Sequence, residues 1–145
     1  MSMHPFFEHN RVILCHFDSY STALVFARYG ASILASAPLP ESAAPMPAPG
    51  DISEQHAQAG VLDMLVAQFG LDPAKVSLDE DFQAWMTSAS GPIRIHLVRF
   101  TTLDAPPQAI EPLGGVFKSI SEMRGMPMLE LNLMRQVFDQ IMGGG

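Results

Sequence analysis

Five prolines, Pro38, Pro40, Pro45, Pro47 and Pro49, alternate with small residues between Ala37 and Gly50. Proline lacks a backbone N–H and fixes φ, so such a run forms neither a helix interior nor a central strand. An extended backbone is its favoured conformation. The sequence therefore predicts a surface loop over residues 37–50, or a linker between an N-terminal strand unit and the rest of the chain.

The composition indicates a folded, acidic protein. The chain has 145 residues, of which 48% are hydrophobic and 16% are charged. This is too apolar for intrinsic disorder, and the length suits one domain over residues 1–145. The formal net charge is -7, from 8 basic and 15 acidic residues, which excludes a nucleic-acid binder that depends on clustered Lys and Arg. Eight acids and Lys75 alone lie between Glu41 and Asp81, which predicts a solvated acidic face or a docking surface for a basic partner.

The compartment is predicted from cysteine usage and from the absence of targeting patterns. Cys15 is the single cysteine, so no intramolecular disulfide can form and a reducing compartment is favoured. Charged residues interrupt the apolar stretch from Arg11 to Ala37. Its longest charge-free run is therefore shorter than the roughly 18 residues that a membrane-spanning helix needs. The same charges argue against a signal peptide. We therefore predict a cytoplasmic protein with no membrane association.

Three segments are predicted as strands from their apolar, β-branched pattern. They are residues 12–17, which suit a central strand, residues 93–100 and residues 116–120. A fourth segment is ambiguous. Ser21 can cap a helix through Tyr29, followed by a strand from Ala31 to Ser36, or the chain can form a hairpin that turns at Tyr29 and Gly30.

Helices are predicted from capping residues and apolar periodicity. One starts at Asp51 or Ser53 and stops at Gly70, and the last begins at Pro127 and ends in the glycines 143–145. Asp104 suits a short helix that Pro112 cuts off. Residues 77–87 open with a capping-box spacing and favour a helix, while a strand over residues 82–87 is the alternative. The order of elements predicts an α+β (mixed α/β) fold with a mixed sheet of about four strands flanked by helices.

Several side chains near the N-terminus are potential metal ligands or nucleophiles. Nitrogen and sulfur ligands are present in His4, His9, Cys15 and His16, together with Met1 and Met3. Their spacing matches no metal motif, and adjacent residues of a strand point to opposite faces, so no metal site is predicted. The same alternation places His16 out of reach of Cys15, which we interpret as a buried structural thiol. The sequence identifies no catalytic residue and no cofactor.

Arg94 and His96 form a candidate binding pair. Residues i and i+2 of a strand lie on one face, so both side chains can contact one ligand. Arginine supplies a fixed charge and a planar pair of donors, and histidine supplies a titratable donor. This pattern predicts a small enzyme or binding protein for an anionic metabolite. The alternative is a solvent-exposed strand face, or salt bridges to the acidic helices.

The last helix provides the other candidate site. Its Met and Leu residues cover more of the helix than one core-facing stripe requires, and half of the chain's ten methionines lie between Met123 and Met142. Burial within the chain's own domain is one explanation. The hypothesis we favour is a non-enzymatic interaction or accessory module, a homodimer or an assembly partner. The predicted contact residues are Leu131, Met134, Phe138 and Ile141.

Overall fold

Eight strands form one mixed sheet in a computed structural model of the chain, which describes residues 5–35 and 37–143. The strands are β1 (Asn10–Asp18), β2 (Ala23–Tyr29), β3 (Leu34–Ala35), β4 (Ala44–Met46), β5 (Val76–Leu78), β6 (Ala84–Thr87), β7 (Ile93–Phe100) and β8 (Gly115–Ser119). The α-helices are α1 (Phe6–His9), α2 (Val61–Phe69), α3 (Pro107–Ile110) and α4 (Met128–Met142). Single 3-10 turns span Glu54–His56, Pro73–Lys75, Glu111–Leu113 and Ile120–Glu122.

Two parallel strands, β1 and β7, lie at the centre of the sheet. Every other pairing is antiparallel. The free side of β1 pairs with β2 along one half and with β3 along the other. The free side of β7 pairs with β5 and β6 in the same way. The strand order ends at β8, which pairs with β2, and at β4, which pairs with β6. Neighbouring strands thus occupy the edges of β1 and β7, and helices can cover the two faces of these central strands.

Alternation along β1 divides the core into two layers. Ile13 and Cys15 belong to the layer under α4, where they meet Leu133 and Val137. Val12 and Leu14 belong to the opposite layer, which α2 and α3 cover. Complete burial of an aliphatic side chain contributes about 1.5–3 kcal/mol. Because β1 is buried on both faces, its sequence is a continuous apolar run rather than an alternating one.

The predicted mixed α and β class is confirmed, but the sheet has eight strands instead of four. The predicted central strand over residues 12–17 lies inside β1, β7 has the bounds predicted, and α4 follows Pro127 as expected. The additional strands have two to four residues, such as β3, β5 and β6, and pair end to end along the long central strands. Strands of that length carry too little periodicity to be recognised in a sequence.

The sequence leaves residues 21–29 open between a helix and a hairpin, and the hairpin is correct. The helix predicted over residues 77–87 is wrong, and its strand alternative is correct. Residues 23–29 form β2, and the chain turns at Gly30, whose φ is 62°. Residues 84–87 form β6 beside β7. The side chain of Asp79 accepts hydrogen bonds from the backbone N–H groups of Asp81 and Phe82, at 3.0 and 3.2 Å. The acidic residues that resemble a helix start thus form a turn that leads into a strand.

The start predicted for the helix before Gly70 is also wrong. α2 begins after Gly60, whose φ is 85°, because Ser53 is engaged elsewhere, with its hydroxyl 3.0 Å from the His56 ring. Its end is confirmed, since the Gly70 N–H donates to the Val66 carbonyl. The proline-rich segment lies mostly at the surface as predicted. It also supplies β4, which tolerates Pro45 because an edge strand has one side without partners.

Gly115 at the start of β8 gives a testable packing prediction. A Cβ atom there lies 2.8 Å from Cε1 of Tyr29 and 3.3 Å from Cβ of Ile110. Gly115→Ala is expected to lower the free energy of unfolding by about 1–3 kcal/mol through overpacking. Urea denaturation measures the change. Gly50→Ala is the control, since a Cβ there meets nothing within 4 Å, and equal stability of the two variants contradicts the prediction.

None of the helices within the described ranges has the length and hydropathy needed to cross a membrane.

Candidate functional site

One flank of α4 carries exposed apolar side chains. Met128 is 64% exposed and Phe138 is 42% exposed. Spacings of three and four residues place them on one flank, here called the α4 stripe, with Leu131, Arg135 and Met142. The opposite flank, with Leu129, Asn132 and Gln136, lines a cleft against β4 and β6. The α4 stripe is therefore the side of the helix that projects away from these strands.

The four contact residues predicted on this helix have different surroundings. Met134 is fully buried in the layer between α4 and the sheet, so it belongs to the chain's own core. Leu131 and Ile141 are half-buried and pack against that core. Phe138 is the predicted contact residue with a large exposed surface. A contact on this helix therefore centres on Phe138 and the α4 stripe rather than on Met134.

Arg94 and His96 lie on the same face of β7, but both are buried. They are 3% and 1% exposed, so the solvent-exposed strand face considered from the sequence is wrong. The segment that covers them includes the turn at residues 53–57, defined here as the His56 turn. His96 also lies under α1, where its ring centroid is 5.7 Å from that of Phe6. Arg94, His96 and the polar side chains packed around them are here called the polar layer. This layer is on the face of the sheet opposite α4.

The Arg94 guanidinium is held by the His56 turn and by an aromatic ring. Its Nη1 donates to the His56 carbonyl at 3.0 Å, and its Cζ lies 5.4 Å from the Trp85 ring centroid. Trp85 is the cross-strand neighbour of Arg94 on β6. The ion pairs in the described part of the chain join Lys75 to Asp72 and Arg99 to Asp79, so Arg94 is in neither. Arg94 thus carries a buried positive charge without a carboxylate in contact.

His96 is a neutral side chain whose N–H group is already engaged. The Asn10 amide donates to the carbonyls of Phe6 and Gln55, so its oxygen accepts from Nε2 of His96 at 2.7 Å. Burial, followed by the charges of Arg94 and His56, lowers the pKa of His96 to about 3. Its remaining nitrogen, Nδ1, is then an acceptor. His96 is therefore not the titratable donor to an anion that the strand pattern suggested.

Three buried nitrogen atoms of this layer have no hydrogen-bond partner among the described residues. They are Nε of Arg94, Nε1 of Trp85 and Nδ1 of His96. The first two are N–H donors. A buried donor without a partner costs about 1–3 kcal/mol, so two such donors beside an uncompensated charge are an unusual local arrangement.

The His56 turn is attached to the sheet mainly by side-chain hydrogen bonds. Nε2 of His56 lies 3.0 Å from the Pro92 carbonyl, and the Asn10 amide lies 2.8 Å from the Gln55 carbonyl. The His56 ring packs on Trp85 with a centroid distance of 5.1 Å. A cleft of about 470 Å³ separates the turn from α1, and its lining includes Glu8, His9 and Glu54.

Another cleft, with several charged residues in its lining, lies on the other face of β7. It has a volume of about 570 Å³ and is lined by Asp79, Glu80, Asp81 and Arg99, among others. Nη1 of Arg99 is 3.5 Å from the Asp79 carboxylate. This basic residue of β7 is partly exposed and ion-paired, in contrast to Arg94.

Cys15 is buried, in agreement with its interpretation as a structural thiol. The thiol is fully buried, and burial raises its pKa to about 12, with smaller effects from Arg99 and Asp79. The His16 ring is 2.7 Å from the Thr102 carbonyl. Met1, Met3 and His4 lie outside the described residues. Among residues 5–35 and 37–143, no group of three or more His, Cys, Asp or Glu side chains is arranged to hold a metal ion.

Comparison of the sequence with protein-family models and with curated proteins finds no match.

Asn10, His56 and Trp85 also belong to the polar layer, although no sequence motif singles them out. A signal exists for Trp85, because the sequence allows a strand over residues 82–87 that pairs with the following strand. His56 carried no such signal. It reaches the layer through a 3-10 turn that has no apolar periodicity.

Proposed function

We propose that the chain is a non-enzymatic, cytoplasmic interaction module that forms a homodimer through the α4 stripe. The observation that carries the proposal is the exposure of Phe138 and Met128 on one flank of the longest helix. Large exposed apolar side chains that are grouped on a surface indicate a contact with another molecule. Because the flank belongs to a regular helix packed on the sheet, it is a rigid surface for that contact.

The spacing of the α4 stripe supports a second copy of the same helix as the occupant. Its members recur every three and four residues from Met128 to Met142, which is the pattern of a seam between two packed helices. A two-fold dimer uses the same patch on both subunits. Arg135 is the polar member of the seam, and its Nη1 lies 3.3 Å from the Asn132 side chain. A polar residue inside such a seam specifies the register at a cost in stability.

The environment of Cys15 makes this thiol unsuitable as a nucleophile. A catalytic cysteine acts as a thiolate and needs a lowered pKa. Burial raises the pKa of Cys15 to about 12, so the thiol stays protonated at neutral pH.

Phe138→Glu tests the proposal, because it replaces an exposed apolar ring at the centre of the contact with a carboxylate that is costly to bury. Size-exclusion chromatography with light scattering is expected to give twice the chain mass for the natural sequence and the single-chain mass for the variant. Far-UV circular dichroism should be the same for both proteins. Leu103→Glu is the matched control, since Leu103 is 73% exposed outside α4, and this variant is expected to remain a dimer.

Two results would overturn the dimer. One is a single-chain mass for the natural sequence at all concentrations up to about 100 μM, well above the dissociation constants of specific dimers. The other is a Phe138→Glu variant that keeps the double mass.

A further inference from the structure

We propose that Arg94 and Trp85 form a binding site for a small monocarboxylate, which enters when the His56 turn lifts from the sheet. The site lies on the opposite face of the sheet from α4. It is independent of the proposed dimer, so the two proposals can fail separately.

The first argument is the charge of Arg94. A guanidinium remains protonated in proteins, so this side chain is a buried cation. Its contacts are the His56 carbonyl and the face of Trp85, both of which are neutral. A buried charge is expensive unless a counter-charge or a full set of hydrogen bonds compensates it. An anion against Arg94 supplies the counter-charge that the described side chains do not.

The second argument is the geometry of the free donors. Nη1 of Arg94 is engaged by the His56 carbonyl, whereas Nε has no partner. Nε belongs to the side of the guanidinium that binds a planar carboxylate through two parallel hydrogen bonds. Trp85 is directly opposite on the neighbouring strand, and its indole N–H is also unpartnered. A carboxylate that reaches both groups would satisfy both orphan donors.

The surroundings select the class of anion. The Trp85 ring lies against the guanidinium, and the His56 ring packs on Trp85. These rings suit a ligand with a small apolar tail. Glu8 and Glu54 line the adjoining cleft. Two carboxylates at the entrance repel a dianion such as phosphate more strongly than a monoanion. These features favour a monocarboxylate over a phosphate.

The His56 turn provides the entry route. Its attachments to the sheet include the hydrogen bonds to Arg94, Asn10 and Pro92, each of which contributes about 0.5–1.5 kcal/mol. From residue 47 to residue 60 the chain has no regular element except the 3-10 turn. Segments held in this way open locally at a lower cost than the global free energy of unfolding. Opening joins the polar layer to the cleft beside α1.

Trp85 is the single tryptophan of the chain, so its indole N–H gives one reporter signal at the proposed site. The experiment is a titration of the full chain with sodium acetate, followed by ¹H–¹⁵N NMR, with sodium chloride at equal ionic strength as the reference. We expect a saturable shift of the indole cross-peak with acetate and none with chloride. In Arg94→Lys, which keeps the charge and loses the planar fork, acetate affinity is expected to fall about tenfold or more, equal to about 1.4 kcal/mol.

Arg99→Lys is the matched control, because it changes an arginine on the opposite face of the same strand. It is expected to bind acetate as the natural sequence does. The site is refuted if acetate produces no saturable shift, if chloride produces the same shift, or if Arg94→Lys binds normally. A saturable response to sodium phosphate but not to acetate overturns the monocarboxylate assignment. If Arg94→Lys does not fold, the comparison of acetate with chloride on the natural sequence still decides the proposal.

Discussion

Replacing Arg11 with methionine is expected to lower the free energy of unfolding by about 3 kcal/mol, the cost of leaving several buried carbonyls without donors. Arg11 lies in β1 and is 6% exposed. Its guanidinium donates to the backbone carbonyls of Phe7, Asn10, Ala37 and Pro38. Methionine retains much of the apolar stem but supplies no donor. Urea denaturation monitored by Trp85 fluorescence measures the loss.

The control for this variant is Arg124→Met, because the Arg124 side chain is exposed. Surface substitutions of this kind change stability by about 0.5 kcal/mol or less. The predicted role of Arg11 is wrong if the two variants have equal stability. Amide hydrogen exchange provides a second measurement, which reports on the region around Arg11. Since Arg11 joins the start of the proline-rich segment to β1, its loss is expected to increase amide hydrogen exchange near Leu39 before the rest of the sheet is affected.

Glu130→Ala is expected to be the other strongly destabilising change, by about 2 kcal/mol. Glu130 is in the first turn of α4 and is 1% exposed. Its carboxylate accepts from the Ile33 N–H at 2.7 Å and from the Ser32 hydroxyl at 2.9 Å, so it joins α4 to the segment between β2 and β3. Alanine leaves both donors buried and unpaired. Glu130→Gln retains an acceptor and is the conservative control.

The same residue gives a pH dependence with a defined sign. Burial raises the pKa of Glu130 above its usual value, although the hydrogen bonds from Ile33 and Ser32 oppose the shift. The folded state therefore binds the proton more tightly than the unfolded state, and this group lowers stability as pH rises through its folded pKa. We expect Glu130→Gln to be more stable than the natural sequence at pH 8. Thermal denaturation should show that advantage shrinking as the pH falls through the raised pKa of Glu130, because the glutamate then becomes protonated.

His96 has the opposite effect and must be separated from Glu130. Its pKa is lowered in the fold, so the unfolded state takes up a proton first, below about pH 6.5. The stability it provides is complete above that pH and is lost as the pH falls toward 3. Comparing Glu130→Gln with the natural sequence at each pH cancels this contribution, because both proteins contain His96. A pH-independent difference between the two proteins contradicts the assignment to Glu130.

The long elements of the fold were predictable, and the short ones were not. The sequence predicts β7 at its observed bounds and α4 after Pro127, because each has enough residues to show its period. β5 and β6 are strands because β7 offers them backbone partners. That interaction is tertiary, and it overrides the capping pattern at Ser77 and Glu80.

In the candidate sites, too, local properties were predictable from the sequence and tertiary ones were not. Alternation along a strand correctly places Arg94 and His96 on one face, since that property is local. Their burial depends on the His56 turn, which lies about forty residues earlier in the chain and has no periodic pattern. On α4, Glu130 interrupts the buried face formed with Leu133, Met134 and Val137. An acid at a core position of an amphipathic helix was a visible signal of a buried partner, and the apolar residues around it obscured that signal.

The parallel pairing of β1 with β7 also has a consequence for how the chain folds during synthesis. Each pair of partners, such as Asn10 and Arg94, is separated by on the order of eighty residues, and such non-local pairing makes folding slow. Until residues 93–100 have been synthesised, the side of β1 that pairs with β7 has no partner. Unpaired strands of this kind are prone to aggregate, so the nascent chain is a candidate for chaperone binding until β7 emerges.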